Sequence, residues 1–346
     1  SWPCFYKHEK LNVFMIIDVD DFRMAGTGED RAACWAELSK HIQLTKPELW
    51  GRYLGVHSVV SESTTADDRV LRTLRYEMSE FSQSCIDRYS ELSGQVHFQK
   101  VKTPFLDETK IDLDEFKEDG VLADNANSMV MKLLWLGRMT RWDLLRQICL
   151  LAGQVSKWSV ACDRILHRLM CYLYHTKDHC LSISVGDTAD QWQLHLYTDA
   201  DLAKCPFTKR STSGIYVEIV SHYTSSGVIG MSTKQTAMSE STPEAELIAH
   251  AKGVRSEGIP ILDLLEAITQ HIYSADHKVN MTCFEDNEAT EKIIINGYSP
   301  NLRHMGCTAN LRHIGRANSV RHKSRAINLR HIGCATNLIH IGCTAN

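Results

Sequence analysis

Residues 193–201 read Gln193-Leu194-His195-Leu196-Tyr197-Thr198-Asp199-Ala200-Asp201, and the fold of the second half follows from them. The run Leu194 to Tyr197 reads as a strand, and carboxylates begin where the apolar residues stop. Gly214 to Val220 and Gly227 to Met231 predict two further strands. A long helix is expected from about Thr242 to Ile268. Ser241, Thr242 and Pro243 start it, with a hydroxyl cap and then a proline in the first turn, where the missing N–H costs nothing. Val279 to Phe284 predicts a fourth strand, and Ala289 to Ile295 begins a second helix. Three strands, helix, strand, helix is a mixed α/β (α+β) order.

Three acids stand out in this half. Asp199 follows the first strand, Glu246 lies in the first turns of the long helix, and Asp286 follows the fourth strand. If the first and fourth strands are neighbours, both aspartates leave the sheet at one edge. The helix can then bring Glu246 to the same place. Clustered carboxylates raise one another's pKa, and a divalent metal removes that cost. Oxygen ligands suit Mg²⁺, and two such ions can activate a water and stabilise the leaving oxygen of a phosphodiester. The competing reading is three solvated acids at strand ends and a helix N-terminus, where acids are favoured anyway. Glu244, two residues from Glu246, is expected to point elsewhere on the helix.

Upstream, Val13 to Ile17 is a continuous apolar strand that runs into Asp18-Val19-Asp20-Asp21. A strand period of two places Asp18 on the face of Asp20. Asp30 to His41 has helical spacing, and Trp50 to Val60 suits a hairpin or strand. The polar stretch from Thr103 to Glu118 reads as a linker. From Ser128 to Tyr174 the pattern is helical. Leu133, Leu136, Met139, Leu144, Ile148 and Leu151 form one apolar stripe, and Val160, Ile165, Leu169 and Leu173 form another. Two helices packed on each other are expected.

Composition bounds the function. The chain has 346 residues, enough for two domains with real cores. Its apolar stretch from Met129 to Leu136 is short and interrupted by Lys132, so no membrane span is expected. The chain opens on Ser1 without a signal-peptide pattern. Twelve cysteines occur with no Cys-x-x-Cys pair, which favours reduced, mostly buried thiols in an intracellular protein. With 38 basic and 42 acidic residues overall, a tail from 301 to 346 holding seven basic residues and no acid leaves the first 300 residues at a net charge of −11. An acidic body is unlike a passive nucleic-acid binder and suits an enzyme that groups carboxylates around metal ions.

That tail repeats every nine residues, as in Asn301-Leu302-Arg303-His304-Met305-Gly306-Cys307. Its few apolar residues per unit offer little core, so poor order is expected. Pairs such as His304 and Cys307, His331 and Cys334, and His340 and Cys343 are a candidate zinc set. A basic nucleic-acid-binding arm and a translated tandem duplication are the other readings.

Several segments together resemble the Pol polyprotein of Copia-type (Ty1/copia) retrotransposons. Tyr197-Thr198-Asp199-Ala200-Asp201-Leu202-Ala203, followed by Arg210-Ser211-Thr212-Ser213-Gly214, is similar to the opening of that family's ribonuclease H. Ser232 to Thr236, Ser239 to Glu246 and Glu285-Asp286-Asn287-Glu288-Ala289 resemble its later segments, the last where the family usually has Cys-Asp-Asn. In the first half, Val19-Asp20-Asp21 resembles the reverse transcriptase Tyr-Val-Asp-Asp loop, with Asp18 in place of the tyrosine. Trp50 to Gly55, Thr140 to Asp143 and His167 to Lys177 are similar to segments downstream of that loop. The resemblance covers about residues 10 to 304.

It implies a reverse-transcriptase palm and thumb remnant at 1–110, a helical connection at 111–185, a ribonuclease H-like mixed sheet with helices at 186–300, and the repeat tail at 301–346. Asp199, Glu246 and Asp286 would be ribonuclease H metal ligands, and Asp20 and Asp21 remnants of the polymerase site. The cofactor would be Mg²⁺ or Mn²⁺, as two ions, and the partners an RNA–DNA hybrid and other parts of the same polyprotein. The chain starts after the strand expected to carry another polymerase aspartate, so polymerase inactivity is expected. No Asp or Glu follows Glu291, so the family's fourth nuclease acid is missing and metal binding is expected to be weakened. The alternatives are a non-catalytic nucleic-acid-binding module and a decayed element with no role.

Overall fold

The computed structural model describes residues 4–107, 111–112, 114–273 and 278–296, together with the backbone of 317–322 and 343–344. A small antiparallel sheet comes first, in the order β1 (Phe5–Lys7), β2 (Val13–Asp18), β3 (Asp21–Gly26). Helix α1 (Gly28–Leu38) follows, capped by the Thr27 hydroxyl, which accepts the Asp30 N–H.

A second, mixed sheet organises the rest. Its members are β4 (Arg52–Tyr53), β5 (Val56–Thr64), β6 (Val70–Glu77), β7 (Cys180–Val185), β8 (Gln193–Ala200), β9 (Thr212–Val220), β10 (Ser225–Lys234), β11 (Asn280–Glu285), β12 (Ala317–His322) and β13 (Cys343–Thr344). They lie in the order β12-β11-β8-β9-β10-β7-β6-β5-β4, and β13 pairs with β7. β11 runs parallel to both β8 and β12, and the other pairings are antiparallel. The mixed α/β order read from the sequence is present. However, β7 belongs to the segment expected to be a helical connection, and it carries the sheet across the expected boundary at residue 186.

The helical region differs from the two-helix expectation. Three helices form it: α3 (Ala126–Met139), α4 (Leu145–Ala152) and α5 (Val160–His175). The first apolar stripe is divided between α3 and α4. Arg141 causes the break. Its buried guanidinium forks onto the Asp143 carboxylate at 2.9 and 2.8 Å and donates to the Thr176 carbonyl at 2.7 Å. With those bonds in place Thr140 and Arg141 are out of helical geometry, and a 3₁₀ turn at Trp142–Leu144 leads into α4. Helix α2 (Ser79–Ser93) joins this bundle as well, and Ile86 and Tyr89 pack with Leu133, Ile148, Leu166 and Leu169. The expected linker at 103–118 has only a short 3₁₀ turn at Asp114–Phe116 among its described residues.

Strand β8 is buried on both faces. Leu194 and Leu196 meet Val254, Leu262 and Leu265, which come from the helical layer α6 (Thr242–Lys252), a π-helical turn (Gly253–Gly258) and α7 (Ile259–Tyr273). On the opposite face Tyr197, Tyr216 and Phe284 pack with Trp142 and Leu145 of the helical region. Close approach makes this layering possible. A Cβ on Gly230 would lie 2.7 Å from the Trp142 ring, so glycine lets the indole rest on β10.

Nine cysteines are described, all are free, and seven are buried, in line with reduced thiols. Among the described residues no helix is long and apolar enough to cross a membrane. Most of the repeat tail lies outside the described residues, including the position of the expected fourth acid and the candidate zinc residues other than the backbone of Cys343.

Candidate metal centre

Parallel pairing of β8 and β11 decides where the acids go. Tyr197 is in register with Phe284, so Asp199 and Asp286 each lie two residues beyond a matched pair. Both therefore lie at one edge of the sheet, Asp199 still within β8 and paired with Gly214, and Asp286 just past the end of β11. Helix α6 crosses that edge closely because its contact residues are small, with Ala245 and Ala249 packed on Ala200. The helix begins where the sequence predicts, but the Ser241 hydroxyl makes no cap bond. Instead the Glu244 carboxylate reaches back to accept the Glu240 N–H at 2.8 Å. Glu244 thus points away from the acids, as its spacing predicts.

Glu246, two residues further along and therefore on the opposite side of the helix, completes the group. One ligand oxygen from each of Asp199, Glu246 and Asp286 lies within 4.8 Å of the others. Asp199 and Glu246 are buried and Asp286 is exposed, so the group opens to solvent on one side. Glu246 accepts a backbone N–H from Ala200, while its Oε2 is buried without a partner among the described residues. Burial, followed by the charges of Asp199, Glu285 and Asp286, pushes the Glu246 carboxyl up to about 10. Three converging carboxylates, among them Glu246 with its raised pKa and an unpaired oxygen, form an all-oxygen donor set that could hold a metal ion.

Behind the triad lies a polar chain that the sequence reading did not single out. Glu285 is fully buried, and burial with nearby acids pushes it up to about 8. Its carboxylate accepts the Thr198 hydroxyl at 3.4 Å and the Asn287 N–H at 3.2 Å. The Thr198 oxygen also lies 3.1 Å from Nδ1 of His250, whose imidazole burial lowers to about 4. Glu285 was visible as the charged end of the alternation Met281, Cys283, Glu285. His250 shares the Glu246 face of α6 at i+4. Asp201, by contrast, takes no part in the triad. It accepts the Thr212 N–H at 2.7 Å and pairs with Arg146 at 3.2 Å, fixing the start of the β8–β9 loop to β9 and α4. Asn287 caps helix α8 (Glu288–Asn296) by accepting the Thr290 N–H.

No protein-family model matches the chain, and no curated protein sequence matches it.

The structure treats the polymerase-like acids differently. Strand β2 ends at Asp18 and β3 begins at Asp21, so Val19 and Asp20 form a two-residue hairpin loop. Asp18 is paired across the hairpin with Asp21. The strand period thus stops before Asp20, which corrects the expectation that Asp18 and Asp20 share a strand face. Asp18, Asp20 and Asp21 are exposed, and Val19 adopts a left-handed φ of 55° that is costly for a β-branched residue. Among the described residues, Asp199, Glu246 and Asp286 are the one set of three or more candidate ligands that converges.

Proposed function

We propose that residues 186–300 form a ribonuclease H-type domain of a Copia-like retrotransposon polyprotein, which uses Asp199, Glu246 and Asp286 to hold Mg²⁺ or Mn²⁺ and takes an RNA–DNA hybrid as substrate. The observation that carries this reading is convergence. The resemblance selects three acids from three separate segments, and folding brings those same three within 4.8 Å of one another. The mixed sheet with a helical layer over β8 supports it further, because this is the architecture that the resemblance implies.

Divalent ions bound there would supply an activated water and charge neutralisation at a phosphodiester. The protein's own groups prepare the place. Asp199 and Asp286 are fixed by the β8–β11 register, and Glu246 is held against Ala200 by the closeness of α6. Thr198, Glu285 and His250 brace the sheet edge from behind. The exposed side, at Asp286, is where a backbone phosphate would approach.

Slow cutting is part of the proposal. The repeat occupies the segment after α8 where the family's fourth acid is expected, and it carries no carboxylate. Polymerase activity is not assigned, because Asp20 and Asp21 stand at an exposed hairpin end where, among the described residues, no set of three candidate ligands converges. The test is an RNA–DNA hybrid assay with Mg²⁺ or Mn²⁺ on the full chain and on Asp199→Asn. Salt-dependent hybrid binding with slow, Asp199-dependent cleavage is expected. Cleavage that persists in Asp199→Asn contradicts the metal role, and rapid Asp199-dependent cleavage contradicts the impairment.

A further inference from the structure

A cavity of ≈ 490 Å³ lies in the helical region, among α5, the C-terminal end of α2 and the extended chain after it. None of its lining residues belongs to the carboxylate centre. The volume falls in the range of small-molecule sites. Val101, Leu106, Leu122 and Val160 give it apolar walls, and one face of α5 gives it polar groups.

Those polar groups can be sorted by what they already bind. Asp163 is occupied, because its carboxylate accepts the N–H groups of Val121 and Leu122 and the indole N–H of Trp158. Arg164 is paired with Glu115. His167 has Nδ1 at 3.0 Å from the Tyr89 hydroxyl and Nε2 at 3.5 Å from Sγ of Cys171. Burial, with His97 nearby, lowers its pKa, and burial raises that of the Cys171 thiol, so both are neutral. Arg168 is left. Its Nε donates to the Thr103 carbonyl at 3.0 Å, and its two terminal nitrogens have no partner among the described residues.

An apolar cavity with one anchored guanidinium and unspent donors selects its ligand by chemistry. We propose that the cavity binds a small anionic amphiphile, with its alkyl or aryl body against Val101, Leu106, Leu122 and Val160 and its carboxylate, sulfonate or phosphate head on Arg168. The Thr103 bond fixes the guanidinium, so little side-chain entropy is lost when the head group docks. This site is independent of the nuclease reading.

The test uses anilinonaphthalene sulfonate as the anionic probe and phenylnaphthylamine as its uncharged counterpart, followed by fluorescence on the full chain. Near-UV circular dichroism establishes that each variant is folded. Saturable binding of the sulfonate at a single site is expected. Arg168→Gln should weaken it by about tenfold or more, the value of a charge-assisted hydrogen bond, and change the uncharged probe by less than about twofold. Arg168→Lys should keep the sulfonate within about fivefold, because the charge remains while the fork is lost. Leu106→Trp, which fills the cavity, should abolish binding of both probes. No saturable binding by the folded wild type, equal weakening of both probes by Arg168→Gln, or undiminished binding in Leu106→Trp would each overturn the proposal.

Discussion

Asp18, Asp20 and Asp21 are neighbours in the chain, whereas Asp199, Glu246 and Asp286 come from a strand end, a helix and the end of a second strand. Folding leaves the first set on an exposed hairpin and gathers the second within 4.8 Å, two of its three members buried. Exposed acids on a hairpin are screened by water and salt, so their adjacency costs little and does little. The gathered acids face one another with two of them withdrawn from water, so their repulsion is a standing cost that only a cation or a proton relieves. Adjacency in sequence is therefore no guide to a site. A parallel strand pair in the right register, with a helix laid closely across its end, is what makes one here.

The largest consequence of this contrast is a pH effect on stability. The Glu246 carboxyl is raised from its ordinary value of 4.5 to about 10 in the folded protein, with burial the leading cause. Its contribution is full below pH 4.5 and is lost as pH rises towards 10, because the unfolded chain releases the proton first. Glu285, raised to about 8, acts in the same direction. In the presence of a chelator, wild-type stability should fall between pH 5 and pH 9, and Glu246→Gln should flatten the slope. Relative to wild type, the variant should recover up to about 3 kcal/mol at pH 7, from 1.36 kcal/mol for each pKa unit. Denaturant melts across that pH range measure it, and an unchanged slope in Glu246→Gln would break the contrast between the two sets.

A smaller effect sharpens the role of the scaffold. A Cβ on Gly253 would lie 2.7 Å from Cγ2 of Thr198, just where the helical layer rests on β8. Gly253→Ala should therefore lift the end of α6 and cost about 1–3 kcal/mol. Metal affinity should fall with it although no ligand is altered, and isothermal calorimetry would record both changes. Smallest of all should be Asp20→Asn and Asp21→Asn, each within about 0.5 kcal/mol in thermal melts, as for ordinary surface substitutions.

Much of this half was legible because its signals are local. The apolar run at 194–197, the proline at 243 and the acids that follow two strands predict elements and site together, and the β8–β11 register then supplies the convergence. The elements that were not anticipated lack such local signals. Helix α2 buries Ser82 and Cys85 beside Ile86 and Tyr89, so its apolar stripe is faint. Strand β7 owes its place to pairing with β6 and β10, which are distant in sequence. The division of α3 from α4 depends on Arg141 reaching Thr176, a bond that spacing cannot foretell. Glu285 and His250 are single polar residues within apolar patterns, and their meaning appears only once Thr198 is seen between them.

The most direct test is a Mn²⁺ titration of the chelator-stripped full chain, followed by electron paramagnetic resonance of the free ion. The account predicts saturable binding that is lost in Asp199→Asn and in Asp286→Asn and retained in Asp20→Asn and Asp21→Asn. Absence of saturable binding in the wild type, or binding that survives both Asp199→Asn and Asp286→Asn, would contradict it.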